Sequence, residues 1–138
     1  MRSLPALLLL WLACLPLAGC NRPNYETPVK AYQTFVRAAQ RGDEKTAYGV
    51  LSQPTQETLK ALAQKLADAS GNVVKAEPAA FFFSNVPPPT DVTEVTLASE
   101  EGDTASVSVV SSSGKSQVRM TREPSGWKVD LTQSLPQP

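Results

Sequence analysis

The chain has 138 residues, and its 13 basic and 13 acidic side chains cancel to a formal net charge of zero. This length is typical of one domain, and the charge balance gives no general attraction to nucleic acid. The sequence contains no histidine and only two cysteines, Cys14 and Cys20. Because histidine is the commonest general base and metal ligand, catalytic triads, Cys–His dyads and histidine-based zinc sites are excluded. We expect neither a cofactor nor a metal site.

The amino terminus has the parts of a secretory signal. Arg2 is the only charged residue within residues 1–19, and an apolar run from Leu4 to Leu17 follows it. A membrane-spanning helix needs about 20 apolar residues, and this shorter run also contains Pro5 and Pro16. The pattern therefore predicts a signal peptide over residues 1–19 that is removed on export, and not a retained membrane span.

A more specific motif, Leu17-Ala18-Gly19-Cys20, ends the apolar run. It resembles the lipobox of bacterial lipoproteins, in which the cysteine sulfur receives a diacylglyceryl group. The resemblance implies cleavage between Gly19 and Cys20 and a lipid anchor on Cys20; the alternative is an ordinary signal with an incidental cysteine. Asn21 stands where aspartate would retain a lipoprotein in the inner membrane. We therefore expect a protein that faces the periplasm, with the outer membrane favoured in a cell that has two.

Residues 20–27 are predicted to form a short lipidated tether. They contain Pro23 and a single large apolar side chain, Tyr25. The seven residues from Asn21 to Thr27 span at most about 25 Å when extended. We expect the following domain to lie close to the membrane surface.

Three helices are predicted next. Thr27 can cap a first helix and Pro28 suits its first turn, while Gly42 ends it. A second, short helix begins at Asp43, and a third runs from about Pro54 to Ala69. The apolar stripe of the first helix is Val29, Tyr32, Phe35, Val36 and Ala39, and that of the third is Leu59, Leu62, Ala63 and Leu66.

The middle of the chain is predicted to be irregular. Val73-Val74 could begin a strand, and Phe81–Phe83 is interpreted as an extended segment before the three prolines at 87–89. Neighbouring side chains of an extended segment alternate, so the three aromatic rings cannot all face inward. We expect burial of this cluster rather than exposure, and we expect the prolines to connect the helices to a sheet.

The last third alternates with period two, which predicts strands. Gly102, Gly114 and Gly126 lie in turns between four such runs. Four strands with short turns form an antiparallel meander, so residues 28–132 are predicted to form an α+β domain and residues 133–138 a tail. The inward positions include Val95, Leu97, Ala105, Val107, Val109, Val118, Met120, Trp127, Val129 and Leu131.

The other face of the predicted sheet is polar. It comprises Thr104, Ser106, Ser108, Gln117, Arg119, Thr121, Lys128, Asp130 and Thr132. Such a face does not suit a large apolar interface between identical chains, and we expect a monomer.

Four short pieces carry a family resemblance: Thr27-Pro28, Arg41-Gly42-Asp43, the run from Ala47 to Ser52, and Gly126-Trp127-Lys128-Val129. Their order resembles small bacterial members of the nuclear transport factor 2-like superfamily. The resemblance implies N-terminal helices packed on a curved antiparallel sheet of about four strands, with a pocket between the sheet and the first helix. The candidate lining residues are Tyr32, Phe35, Tyr48 and Trp127.

Members of this superfamily include isomerases, dehydratases, polyketide cyclases and non-catalytic binding domains, so the fold does not select a function. We favour a non-catalytic lipoprotein that binds a small apolar ligand or an envelope protein. A purely structural lipoprotein is one alternative. The other is a ketosteroid isomerase-like or dehydratase-like enzyme, which would need a buried carboxylate beside Tyr32. The available carboxylates, none of them in a recognisable motif, are Asp68, Glu77, Asp91 and Glu94.

Overall fold

The structure is a computed structural model that describes residues 22–87 and 89–138. Within these residues, four helices precede four strands. The helices are α1 (Pro28–Gln40), α2 (Glu44–Gly49), α3 (Gln53–Ala69) and α4 (Pro78–Asn85), and the strands are β1 (Val92–Glu101), β2 (Thr104–Ser111), β3 (Gly114–Glu123) and β4 (Gly126–Val129). The strands form one open antiparallel sheet in the order β1-β2-β3-β4. The predicted α+β class and the four-stranded meander are confirmed.

Side-chain caps start the first three helices. The Thr27 hydroxyl accepts a hydrogen bond from the amide of Lys30 at 3.1 Å, as predicted for α1. Asp43 caps α2 in the same way through the amide of Thr46 at 3.1 Å. Ser52 caps α3. Each cap satisfies an amide that the first helical turn leaves without a partner, which explains why short helices begin at these residues.

The core lies between α1 and the inner face of the sheet, and α1 contacts β1, β2 and β4. The Trp127 side chain is buried there, as the sequence predicts. The largest buried members of this core include Tyr32, Phe35, Leu51, Leu59, Phe82, Val107, Met120, Trp127 and Val129.

The outer edge of β4 is covered by main chain from two other segments. The Trp127 amide donates to the Tyr25 carbonyl at 2.9 Å. The Val129 amide donates to the Val50 carbonyl at 2.9 Å, and the Ser52 amide donates to the Val129 carbonyl at 2.8 Å. We call this arrangement the covered edge. It protects the backbone groups that an edge strand otherwise exposes.

Packing extends beyond the region predicted as the domain. Within the predicted tether, Tyr25 packs partly buried against the core. Within the predicted tail, Leu135 does the same.

The predicted extended segment at Phe81–Phe83 is wrong, because these residues form α4. Pro78 occupies the first helical turn, where its missing N–H costs nothing, and Pro87 follows the helix end. Helical geometry turns successive side chains by about 100°. Phe82 is therefore buried while Phe81 and Phe83 flank it half-buried, so the expected burial is confirmed for Phe82 and only in part for its two neighbours.

Val73-Val74, where a strand could begin, lies exposed after the end of α3 and forms none, so this stretch is irregular as predicted. Two predicted inward positions are wrong. Leu66 is exposed because Ala67 takes the inward position on α3. Leu97 is exposed on β1, beside a register irregularity between Leu97 and Ser99.

Two residues predicted for the polar face are instead buried, Ser108 and Lys128. The Lys128 ammonium donates to the Gly49 carbonyl at 2.8 Å and lies 4.3 Å from the centre of the Tyr25 ring. Burial lowers the pKa of Lys128, and the charge of Glu123 partly opposes this effect. Lys128 is therefore covered by the N-terminal segment and the end of α2, neither of which can be placed from strand alternation alone.

Candidate ligand-binding cavity

An apolar cavity of about 170 Å³ lies between α1, α4 and the sheet. Two helices contribute aromatic rings, the segment after α4 contributes prolines, and the sheet contributes aliphatic side chains. The lining residues that the structure describes are Tyr32, Phe35, Phe82, Phe83, Val86, Pro87, Pro89, Val118, Val129 and Leu131. The cavity's volume is close to that of an apolar cavity of roughly 150 Å³ that accepts benzene, so it matches a ligand group of one aromatic ring.

Aromatic contacts build the helical wall of the cavity. Phe83 meets Phe82 edge to face, with ring centres 5.0 Å apart and an angle of 82°. Phe82 lies 6.3 Å from Phe35, which in turn lies 5.9 Å from Tyr32. These separations are in the range of favourable aromatic pairs, so the four rings support one another.

Tyr32 supplies the one polar side-chain group among the described lining residues. Its side chain is buried, and burial raises the pKa of Tyr32. The phenol therefore stays protonated at neutral pH and can donate a hydrogen bond. Among the described lining residues, Tyr32 is thus the side chain that can donate a hydrogen bond to a ligand.

Two of the four predicted lining residues meet at the cavity, namely Tyr32 and Phe35. The other two lie elsewhere. Tyr48 is half-buried, and its hydroxyl donates to the Gln56 carbonyl at 3.3 Å. Trp127 is buried in the core, with the Arg122 guanidinium 4.6 Å from its ring centre.

The predicted carboxylates do not reach the cavity. Asp68, Glu77, Asp91 and Glu94 are all exposed. Asp68 accepts a hydrogen bond from Gln64 at 2.8 Å, and Asp91 accepts one from Ser112 at 3.3 Å. A general base within hydrogen-bond reach of a substrate beside Tyr32 is thus missing from the described lining. No group of three potential metal ligands occurs in the described part of the chain.

Sequence reasoning missed the walls supplied by α4 and β3. The dense aromatic run Phe81–Phe83, followed at once by prolines, was the available signal. While the segment was interpreted as extended, this run did not indicate which of its rings face the core. Val118 gave no distinct signal, because every inward strand position has the same pattern.

Gly19 and Cys20, the predicted cleavage and lipidation residues, lie outside the described residues. Across the residues that are described, none of the helices has both the length and the apolar character to cross a bilayer. No protein-family model matches the chain, and a comparison with curated proteins finds no significant relative.

Proposed function

We propose that this chain is a non-catalytic cell-envelope lipoprotein, anchored through Cys20, that binds a small apolar ligand in the cavity beside Tyr32. The observation that carries the binding proposal is an apolar cavity whose described lining contains one side chain with a polar group, Tyr32. Such a site suits a ring-sized group that carries one carbonyl or ether oxygen. Ligand pockets commonly measure about 300–1,000 Å³, so a larger ligand would extend beyond this cavity.

The lipoprotein proposal is supported by the apolar run and by the motif Leu17-Ala18-Gly19-Cys20 at its end. The test is the intact mass of the protein extracted from the membranes of a bacterial host. We expect a chain that begins at Cys20 and carries a diacylglyceryl group, whereas Cys20→Ser should leave the signal uncleaved and the residue unmodified. Separation of inner and outer membranes tests the proposed outer-membrane location. An unlipidated wild-type chain would contradict the proposal.

We further propose a nuclear transport factor 2-like fold for residues 28–132. It is supported by the order of helices followed by a meander, and by α1 lying across the sheet with a cavity between them. Tyr32 on α1 is the residue that enzymes of this type would use, but no carboxylate lines the described cavity beside it. This lining favours binding over catalysis.

The binding proposal is tested by native mass spectrometry of the mature chain produced without lipid. We expect a monomer that carries a discrete added mass, or one that gains mass with toluene or benzaldehyde. Val118→Trp should abolish this binding because the indole fills the cavity. Val110→Trp is the matched control: Val110 is half-buried, and strand alternation places it on the opposite face of the sheet.

The role of Tyr32 is tested separately. Benzaldehyde has a carbonyl that can accept a hydrogen bond from the phenol, and toluene has none. We expect benzaldehyde to bind more tightly than toluene, and Tyr32→Phe to remove the difference by leaving both ligands with apolar contacts only. A clean unliganded mass, with no binding of either probe, would contradict the binding proposal.

A further inference from the structure

The path of the N-terminal segment is determined by α1. The Asn24 amide donates to the Thr34 hydroxyl at 3.2 Å, and the Asn24 carbonyl lies 3.2 Å from the same hydroxyl. Asn24 is therefore held beside the middle of α1. Two residues earlier, Arg22 lines a small hollow with Arg37 and Arg41. From Asn24 back to Arg22 the chain thus runs toward the C-terminal end of α1.

This hollow brings three arginines together on the surface. Arg22, Arg37 and Arg41 are exposed, and all three line it; we call them the arginine surface. Asp43 also lines the hollow; its carboxylate caps α2 through the Thr46 amide at 3.1 Å and offsets one of the three positive charges. The local excess of positive charge contrasts with the formal neutrality of the whole chain.

The distance to the proposed anchor is short. Cys20 precedes Arg22 by two residues, which span at most about 7 Å of extended chain. The polar headgroup layer on each side of the hydrocarbon core is about 5–7 Å thick. A lipid on Cys20 would therefore hold Arg22, and with it the adjoining arginine surface, close to the headgroup layer.

Resting on the proposed lipid anchor, we propose that the arginine surface binds anionic phospholipid headgroups of the bilayer that holds Cys20. Guanidinium groups match phosphate oxygens with two parallel hydrogen bonds, and each basic residue near an anionic surface adds attraction. The contact orients the domain with the C-terminal end of α1 toward the membrane.

The test uses the lipoprotein purified from membranes and reconstituted into vesicles. One set contains phosphatidylcholine alone, and the other also contains phosphatidylglycerol. Phenylglyoxal modifies accessible arginines, and mass spectrometry reads each position. We expect the modification of Arg37 and Arg41 to slow by about fivefold on the anionic vesicles, the factor that corresponds to one favourable cation contact. Added salt should remove this protection, because exposed charges are screened. Arg119, which pairs with Asp130 at 3.2 Å, provides the internal reference.

A matched pair of variants sharpens the test. Arg37→Gln combined with Arg41→Gln should reduce the protection of the remaining Arg22. Lys60→Gln combined with Lys65→Gln removes the same charge from exposed positions on α3 that do not line the hollow, and should leave Arg22 protected. Equal modification on both kinds of vesicle would overturn the proposal. Equal protection by dissolved inorganic phosphate would also overturn it, since it would indicate a free-anion site.

Failure of the anchor can be distinguished from failure of this contact. If intact mass shows no lipid on Cys20, the mature chain is coupled through its Cys20 thiol to a maleimide phospholipid in the same vesicles. Cys20 is the only thiol from residue 20 onward, so the attachment point is unchanged. Arginine protection on these vesicles would support the arginine surface while the anchor proposal fails.

Discussion

The covered edge and the cavity are two regions of one core with opposite packing. At the covered edge, Tyr25, Val50 and Ser52 form main-chain hydrogen bonds with β4, and Trp127 is buried behind them. At the cavity, Phe83 remains half-buried and about 170 Å³ is left unfilled. Main-chain hydrogen bonds fix how the segments at the covered edge pair with β4. The prolines beside the cavity have no N–H and cannot donate such bonds. We infer that the covered edge stabilises the fold while the cavity is available for binding.

Among the variants that test this comparison, Trp127→Ala should lose the most stability. Removing a buried tryptophan leaves a large void, and we expect the free energy of unfolding to fall by about 3–5 kcal/mol. Phe83→Ala, in the half-buried wall of the cavity, should cost only about 1 kcal/mol, since less apolar area is lost. Urea unfolding of both variants measures the difference. Equal losses would show that the two regions contribute alike.

Gly126→Ala tests the close approach at the covered edge. Gly126 has φ +117, and a Cβ there would lie 2.6 Å from both Cβ and the carbonyl oxygen of Tyr25. Strain and overpacking together should cost about 2–3 kcal/mol in thermal or urea unfolding. Gly49→Ala is the control, because a Cβ there would have no neighbour within 4 Å. That variant should be neutral or up to about 1 kcal/mol more stable.

Thr55→Val tests how α3 is joined to the end of the sheet. The buried Thr55 hydroxyl accepts a hydrogen bond from the amide of Leu131, a cavity residue, at 3.0 Å and lies 2.8 Å from the Ser52 hydroxyl. Loss of that acceptor should cost about 1–3 kcal/mol. Thr58→Val, one turn further along α3, removes only a local bond to Pro54 and should change stability by less than about 0.5 kcal/mol. If both variants lose a similar amount of stability, the loss comes from placing valine in α3 and not from the missing hydrogen bond to Leu131.

The smallest expected effect is on how the free energy of unfolding changes at acidic pH. Hydrogen bonds from Thr46 lower the pKa of Asp43 below its ordinary value of 3.8. The folded state therefore binds this proton less tightly than the unfolded state, so the stabilisation is complete above that value and is lost as the pH falls through the folded pKa. Asp43→Asn keeps a capping side chain and should flatten this part of the pH dependence of unfolding.

Asp43 caps α2, which leads directly to Val50 at the covered edge. Acid should therefore weaken the covered edge before it changes the cavity. Unfolding monitored between neutral pH and acid by Trp127 fluorescence, compared with probe binding over the same range, measures this order. Loss of binding before the Trp127 signal changes would contradict it.

Much of the fold was predictable from local pattern. Thr27, Asp43 and Ser52 each stand before a helix and can satisfy its free amides, so the helix starts need no tertiary information. The turns at Gly102, Gly114 and Gly126 separate runs of alternating residues, which defines the four strands. The cavity was only half predictable: Tyr32 and Phe35 follow from the stripe of α1, but Phe83 and Val118 depend on where α4 lies against the sheet.

The sequence by itself determined the local elements, the α+β class and the proposed signal and lipidation motif. These depend on capping, periodicity and short linear patterns, which involve neighbours along the chain. Only the tertiary structure decided that Phe81–Phe83 is helical, that Lys128 is buried under Tyr25, and that Arg22 meets Arg37 and Arg41. Each of these involves contact between separate segments of the chain. Phe82 packs against Phe35, Lys128 donates to Gly49, and Asn24, next to the arginine surface, is held by Thr34. Local sequence patterns do not encode such contacts.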